Sequence, residues 1–363
     1  MKVVIVVLTF VLCVIIQTLG SRLGFHFHPA TTFVSEPPCN DCDEIMLHDS
    51  ATPSLKPTRA PTAMPMYKAS LPERNEEQPP ASKAPSPDVE KKTTLCIATT
   101  VIRKRSTARM VAQRNAILSL NSLPDVKAVV FTTDSFWLRY CKKNGLECSD
   151  VYETNYAGTP YFKSLIHRME EMHSCYFYGY VNGDIVFHSN ITAVLKGVIS
   201  LIREKKLKER VLVTGRRTNI FDYNMRFISS NVEENDRNIE RAATKGVLFR
   251  EDALDYFIFT KTTYYWNQIP NLVIGRPLYD NYLLHIISKN RFTDLVDATP
   301  SILAVHQTDE DGVFAGHKRR QDVDWNRHLI GKHYKMGNTN FSDFRLFPGN
   351  QLVACEKPIV QLR

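Results

Sequence analysis

The chain has 363 residues, 43% of them hydrophobic, and a formal net charge of +8. That length and apolar content suffice for a large packed core and exclude a wholly disordered chain. No lysine/arginine stripe with interleaved aromatics stands out, so the positive excess argues against a nucleic-acid partner and for a solvated surface that attracts anionic substrates.

Met1-Lys2 precedes an apolar run from Val3 to Ile16, broken only by Thr9. Extended to Leu19, it would make a helix about 25 Å long, slightly less than a ~30 Å hydrocarbon core. Two readings stay open: a transmembrane signal-anchor over residues 1–20, or a signal peptide cleaved after Gly20. Both send the remainder into the secretory pathway, and the stem-like composition of the next segment favours the anchor. Residues 21–92 carry twelve prolines and few large aliphatics. Such a segment buries too little apolar area to offset its ordering entropy, and it reads as a disordered stem. Residues 93–363 change character, and form the expected folded domain.

Eight cysteines are present. Beyond Cys13 in the apolar run, seven remain, so at least one thiol is free or intermolecular. Cys141 and Cys148 are the nearest pairing candidates in the folded part. Cys39 and Cys42 sit in the stem without further zinc ligands nearby, which favours a local disulfide or a disulfide-linked homodimer. Asn190-Ile191-Thr192 and Asn340-Phe341-Ser342 are glycan acceptor sequons.

In chain order, Leu95–Thr100 suits a buried first strand. Ser106 caps a helix to about Leu120, with Met110, Val111, Ile117 and Leu118 as its expected buried stripe. Ala128–Thr132 is a second strand, and Phe136–Lys143 a helix stopped by Asn144-Gly145. Pro160 stands where a helix over Tyr161–His173 would begin. Ser189 or Asn190 opens another, with Leu195, Val198, Ile199 and Ile202 on one face. Val211–Thr214 is a strand, residues 216–246 read as a long irregular loop, and Asp255–Thr260 is a further strand. Tyr279–Ser288 is a helix, and Phe292–Ala298 and Ile302–His306 are apolar strand candidates. Strands alternating with helices predict an α/β fold, a three-layer α/β/α arrangement around a mainly parallel, Rossmann-like sheet.

The stretch Tyr176–Phe187, YFYGYVNGDIVF, sets two apolar runs around Asn182-Gly183-Asp184. Taken alone, Asn-Gly between apolar runs signals a hairpin. Ile185, Val186 and Phe187 do not alternate, however, and helices flank the region. A strand ending in a carboxylate-bearing turn fits better. Ligands of open α/β sheets gather at carboxyl strand ends, where Asp184 can hold a divalent cation against a diphosphate.

Together with TLCIATT, VTGRRTNI, IGRPLYDNYLL and DATPSILAVHQT, this motif resembles the GT-A nucleotide-diphospho-sugar transferases, over about residues 93–320. The resemblance implies a type II Golgi plan of anchor, stem and lumenal catalytic domain, with secretion after cleavage as the alternative. It implies a nucleotide-diphospho-sugar donor, a glycan or glycoprotein acceptor, and Mn²⁺ held by Asp184 and His306. Thr99, Thr100, Asn182, Arg216 and Arg217 would receive the nucleotide and its phosphates, and Asp280 would act as general base. Arg276 is a further candidate for phosphate, whereas Asp297 reads as structural. Asn182 stands where the acidic motif has its first aspartate, which keeps a non-catalytic nucleotide-sugar or carbohydrate binder as the rival reading. No G-x-S-x-G elbow, H-E-x-x-H helix or P-loop is present.

Overall fold

A computed structural model describes residues 93–104, 106–221, 228–229, 231–261, 269–308, 321–331 and 337–356. The anchor and stem expected over residues 1–92 lie outside the described residues. No helix among the described residues is long and apolar enough to cross a membrane.

The strands of the main sheet are β1 (Thr93–Thr100), β2 (Val126–Phe131), β3 (Cys148–Ser149), β4 (Cys175–Val181), β6 (Val211–Thr214), β9 (Tyr256–Thr260), β10 (Asp294–Asp297), β12 (Phe344–Phe347) and β13 (Gln351–Ala354). Their order is β13-β12-β10-β6-β9-β4-β1-β2-β3. Every neighbouring pair is parallel except those that include β9 or β13. Side chains alternate across the strands, so one apolar run feeds two cores. Cys96, Ala98, Tyr178 and Tyr180 face one way, onto α3 (Phe162–Met172) and α6 (Tyr279–Ser288). Leu95, Ile97, Phe177 and Val181 face the other, onto α4 (Asn190–Arg203) and Leu120 of α1 (Thr107–Ser122). This is the expected three-layer, mainly parallel Rossmann-like sheet.

Local signals hold at several helix ends. The Ser106 hydroxyl accepts from Arg109 N–H at the start of α1, and Asp134 accepts from Phe136 N–H at the start of α2 (Ser135–Lys143). Gly145 follows α2 with φ +64°, the left-handed geometry that ends a helix cheaply. Cys141–Cys148 is a disulfide, as is Cys96–Cys175, which ties two adjacent central strands.

Three expectations need correction. The stretch 216–246 is not one irregular loop: its described part holds β7 (Thr218–Ile220) and α5 (Val232–Ala243). Polar composition hid a helix whose buried side needs only Asn235, Ile239 and Ala242. The strands are not all in one sheet either. β5 (Ile185–Phe187), β7, β8 (Val247–Leu248) and β11 (Ala304–Gln307) form a second sheet of order β5-β11-β7-β8. Finally, α1 buries Ala112, Gln113, Asn115, Ala116, Ile117, Ser119 and Leu120, while Met110, Val111 and Leu118 are only partly covered. The cause is polar bonding to the second sheet. Asn115 donates to Gln307 Oε1 at 2.7 Å, and Gln307 donates back to the Ala112 carbonyl at 3.2 Å.

The two sheets meet where Gly183 lies on β1. A Cβ built there would stand 2.3 Å from the Thr100 carbonyl oxygen. Gly183→Ala is therefore expected to cost about 1–3 kcal/mol by overpacking. A calorimetric melt should show Tm lower by about 3–10 °C; an unchanged Tm would mean the turn has room to move.

Candidate active site

β4 leaves the main sheet at Val181, and β5 enters the second at Ile185. Asn182, Gly183 and Asp184 bridge the two, with Ile185 N–H closing the turn on the Asn182 carbonyl at 3.2 Å. Because β4 and β5 pair in different sheets, the Asn-Gly does not make a hairpin. β6 passes to β7 in the same way, through Gly215, Arg216 and Arg217. His306 on β11 lies in register with Ile185 on one side and Asn219 on the other. Three distant segments thus meet at the carboxyl rim of the main sheet.

His306 Nε2 stands 3.3 Å from Asp184 Oδ2. Its Nδ1 stands 3.1 Å from Asn219 Oδ1, which also accepts a 3.0 Å bond from Arg217 Nε. Arginine only donates, so this network identifies the Asn219 atom as oxygen and puts the His306 hydrogen on Nδ1. Burial holds the His306 imidazole below its ordinary pKa, with Asp184 opposing but not reversing the shift. The ring is then neutral at pH 7, and its Nε2 lone pair points at a carboxylate. Burial alone would raise Asp184, but the charge of Arg217 nearby helps to hold it below the usual range, so it stays ionised. Two acceptors at this distance repel unless a cation or a proton lies between them. Asp184 Oδ1 adds to the demand: it is enclosed and lacks a hydrogen-bond partner, although the side chain as a whole is 42% exposed.

A divalent cation fits this pair. Neighbouring ligand atoms of an octahedral ion with bonds of about 2.1 Å lie about 3 Å apart, and mixed carboxylate and imidazole donors suit Mn²⁺. Among the described residues, no group of three or more His, Cys, Asp and Glu gathers. Asp184 and His306 are the candidate ligands among the described residues.

Arg217 completes the crevice. Its NH1 bonds Asp255 Oδ2, with the two side chains only 7% and 8% exposed, and its guanidinium lies 4.6 Å from the Phe249 ring centre. Burial lowers it to about 10, while Asp184, Asp280 and Tyr279 resist that fall, so it remains a cation at neutral pH. Asp255 Oδ1 in turn accepts from Asn182 Nδ2 at 2.6 Å, and Asn182 Oδ1 accepts from the Tyr279 hydroxyl at 3.1 Å. Asn182 is thereby engaged within the protein at both ends of its amide, and the nucleotide contact expected of it is not what positions it.

Asp280 lies in the first turn of α6, which starts after Leu278 in left-handed backbone at φ +78°. That conformation costs a non-glycine residue about 1 kcal/mol or more, and here it swings Tyr279 and Asp280 toward the rim. Enclosure by protein pushes the Asp280 carboxyl up to about 6, against the N–H groups of Asn281 and Leu254 and the charge of Arg217. Its surface remains partly accessible.

The other candidates fall away from this cluster. Thr99 is fully buried with an unpartnered hydroxyl, so it cannot touch a donor; Thr100 is half-buried at the rim, its hydroxyl 3.3 Å from that of Tyr180. Arg216 is turned to the Phe249 carbonyl at 2.5 Å. Arg276 is held by Asp322 at 2.6 Å and serves the structure. Asp297 accepts from Thr299 and Arg345, the structural part expected of it. Asp255, Asn219 and Tyr279 escaped the sequence reading: Asn219 and Tyr279 lie inside VTGRRTNI and IGRPLYDNYLL, but nothing local marks any of the three as a partner of Arg217, His306 or Asn182. A described cavity of about 920 Å³ opens elsewhere, near Lys208 and Asp294 at the opposite ends of the strands. Its Asp294 is neutralised by Lys208 at 2.6 Å, and it holds no acid–base pair.

Removing Asp255 should expose what the ion pair does. Asp255→Asn leaves the buried Arg217 charge uncompensated and is expected to destabilise by about 3–5 kcal/mol, whereas Asp255→Asn with Arg217→Met recovers part of that loss. Chemical denaturation of both variants checks this, and additive losses would show that the two side chains do not act as a pair.

No family model matches the chain, and no curated relative matches it. Among solved structures it is similar to S. aureus TarS 1-349 in complex with UDP-GlcNAc, at 12% identity and TM-score 0.38, over 67% of this chain and 68% of that one. It is also similar to CMP:2-keto-3-deoxy-manno-octonic acid synthetase complexed with CTP, at 13% identity and TM-score 0.31, over 58% and 91%. A third is 4-diphosphocytidyl-2C-methyl-D-erythritol synthase from Anaerococcus prevotii, at 14% identity and TM-score 0.34, over 62% and 97%. With scores this low, the Rossmann-like assignment rests on the chain's own strand order and two-sided core.

Proposed function

We propose that this protein is a glycosyltransferase that moves a sugar from a nucleoside-diphosphate donor to a glycan or glycoprotein acceptor with help from Mn²⁺. The observation that carries this reading is the neutral His306 facing the ionised Asp184 at 3.3 Å, an arrangement that calls for a cation. When bound there, the ion would offset negative charge on the departing diphosphate. Arg217 adds fixed positive charge beside it. In the transfer, the acceptor hydroxyl oxygen bonds to the anomeric carbon. The bond from that carbon to the diphosphate oxygen breaks, and its electron pair leaves with the nucleoside diphosphate. Asp280 takes the hydroxyl proton, a task suited to a base near pKa 6.

A lumenal setting, with residues 1–20 as a Golgi signal-anchor, is part of the proposal. Two disulfides in the folded domain support an oxidising compartment. The sequons divide: the Asn190 amide already donates to the Ser301 carbonyl at 2.8 Å inside a helix start, while Asn340 is exposed. The rival reading, a binder without turnover, is favoured by Asn182, whose amide is occupied within the protein.

Release of nucleoside diphosphate from a donor panel, with and without Mn²⁺, separates the two. Asp184→Ala is expected to lower Mn²⁺-dependent release about 100-fold or more with the fold retained by circular dichroism. Donor binding without turnover across donors and acceptors would leave the binder.

The pH dependence tests the base. Activity should fall as pH drops through about 6, because the base must be ionised, and Asp280→Asn should lower the rate by about 100-fold or more. Stability runs the other way. A carboxyl whose folded pKa lies above its unfolded value favours the fold at low pH, and that contribution fades as pH rises through about 6. Asp280→Asn should therefore raise Tm at pH 8 and leave it nearly unchanged at pH 4.

A further inference from the structure

The segment that ends on Asp280 is held by a loop and a short helix carrying three clustered aromatic rings. Tyr156 lies in the loop after β3, Tyr161 precedes α3, and Trp325 opens α7 (Trp325–Ile330). The Tyr156 and Trp325 ring centres are 5.6 Å apart, and those of Tyr161 and Trp325 are 6.1 Å apart with planes inclined by only 33°. Tyr156 is 61% exposed, a large aromatic surface left to solvent. The Tyr161 and Trp325 rings are partly open.

These rings do not rest on an unrelated face. The loop after β3 emerges at the carboxyl end of a parallel strand, the same rim that carries Asp184. Tyr161 pairs with Val273, and Ile274 N–H donates to the Pro160 carbonyl at 3.2 Å. Asn326, next to Trp325, donates to the carbonyls of Val273, Arg276 and Pro277 and accepts from Val273 N–H at 2.8 Å. Arg276 NH2 bonds the Thr159 hydroxyl at 2.9 Å. The rings and the residues leading to Asp280 thus form one hydrogen-bonded unit. Trp325 Nε1 is spent on the Asn271 carbonyl and the Tyr156 hydroxyl on that of Gln321, so the polar edges are anchored and the ring bodies are held in place.

Rigid aromatic faces of this kind match a pyranose. The weakly positive axial C–H groups of a sugar ring rest on the negative face of an aromatic, while its hydroxyls stay in water. A loose peptide or apolar surface would not need rings fixed at their polar edges on the segment that leads to Asp280. We propose that Tyr156, Tyr161 and Trp325 form a stacking subsite for the acceptor saccharide, poised beside Asp280. The assignment rests on the transferase reading and names its acceptor class as a saccharide.

The test uses the full-length chain and saturation-transfer NMR with methyl hexosides, methyl N-acetylhexosaminides and their disaccharides. Wild-type protein should transfer saturation to the C–H protons of at least one of them. Tyr156→Ala should weaken that saccharide about tenfold, and Tyr156→Phe, which keeps the ring, should restore most of it. Calorimetry of a nucleotide-sugar donor panel on the wild-type protein separates the two readings. Saccharide binding lost in Tyr156→Ala, with no donor bound by the wild type, would uphold the subsite and sink the transferase. No saturation transfer to any probe, or binding unchanged in both Tyr156→Ala and Tyr161→Ala, would overturn the subsite whatever the donor result.

Discussion

A carboxylate cannot rest against the lone pair of a neutral imidazole without something positive between them. Asp184 and His306 are held in that relation by backbone pairing of β5 with β11, in which His306 and Ile185 are partners. The Asn219 amide oxygen then commits the other ring nitrogen, so the imidazole cannot turn a hydrogen toward Asp184 while neutral. Protonation would relieve the contact, but burial disfavours it. The contact is therefore set by sheet register.

The rest of the crevice manages charge around that pair. Arg217 is shared between its partner Asp255 and the more distant carboxylates Asp184 and Asp280. Asp255 reaches Asn182, and Asn182 reaches Tyr279 beside Asp280. One chain of hydrogen bonds thus runs from the His306 end of the site to Tyr279, the residue before Asp280, whose carboxyl is pushed up to about 6.

Much of the main sheet was legible from residue order. TLCIATT and YFYGYV are continuous apolar runs because strands covered on both faces need no alternation, and Ser106, Asp134 and Gly145 mark helix ends by chemistry that acts within a few residues. The face of α1 was misread because Asn115 is buried by a partner far along the chain, Gln307, 192 residues away. The helix over Val232–Ala243 was missed for a related reason: its composition is charged, and it covers only the small second core of Val186, Ile220, Ile239, Ala242 and Val305. Asp184 was singled out by its place after a buried strand, and His306, Arg217 and Asp280 by the resemblance to GT-A transferases, yet nothing local distinguished Arg217, turned inward to Asp255, from Arg216, turned outward to a carbonyl.

By itself the sequence determined the alternation of strands and helices from residue 93 onward and the placing of an acidic turn after a buried strand. Those follow from propensity and periodicity, which are properties of neighbours along the chain. Only the tertiary structure decided that Asn182-Gly183-Asp184 joins two sheets and that His306 faces Asp184. It also decided that Asn219 sets the tautomer and that Asp255 neutralises Arg217. Each of these depends on which strands pair and in what register, and pairing energy is shared among residues too far apart in sequence for any local pattern to record it.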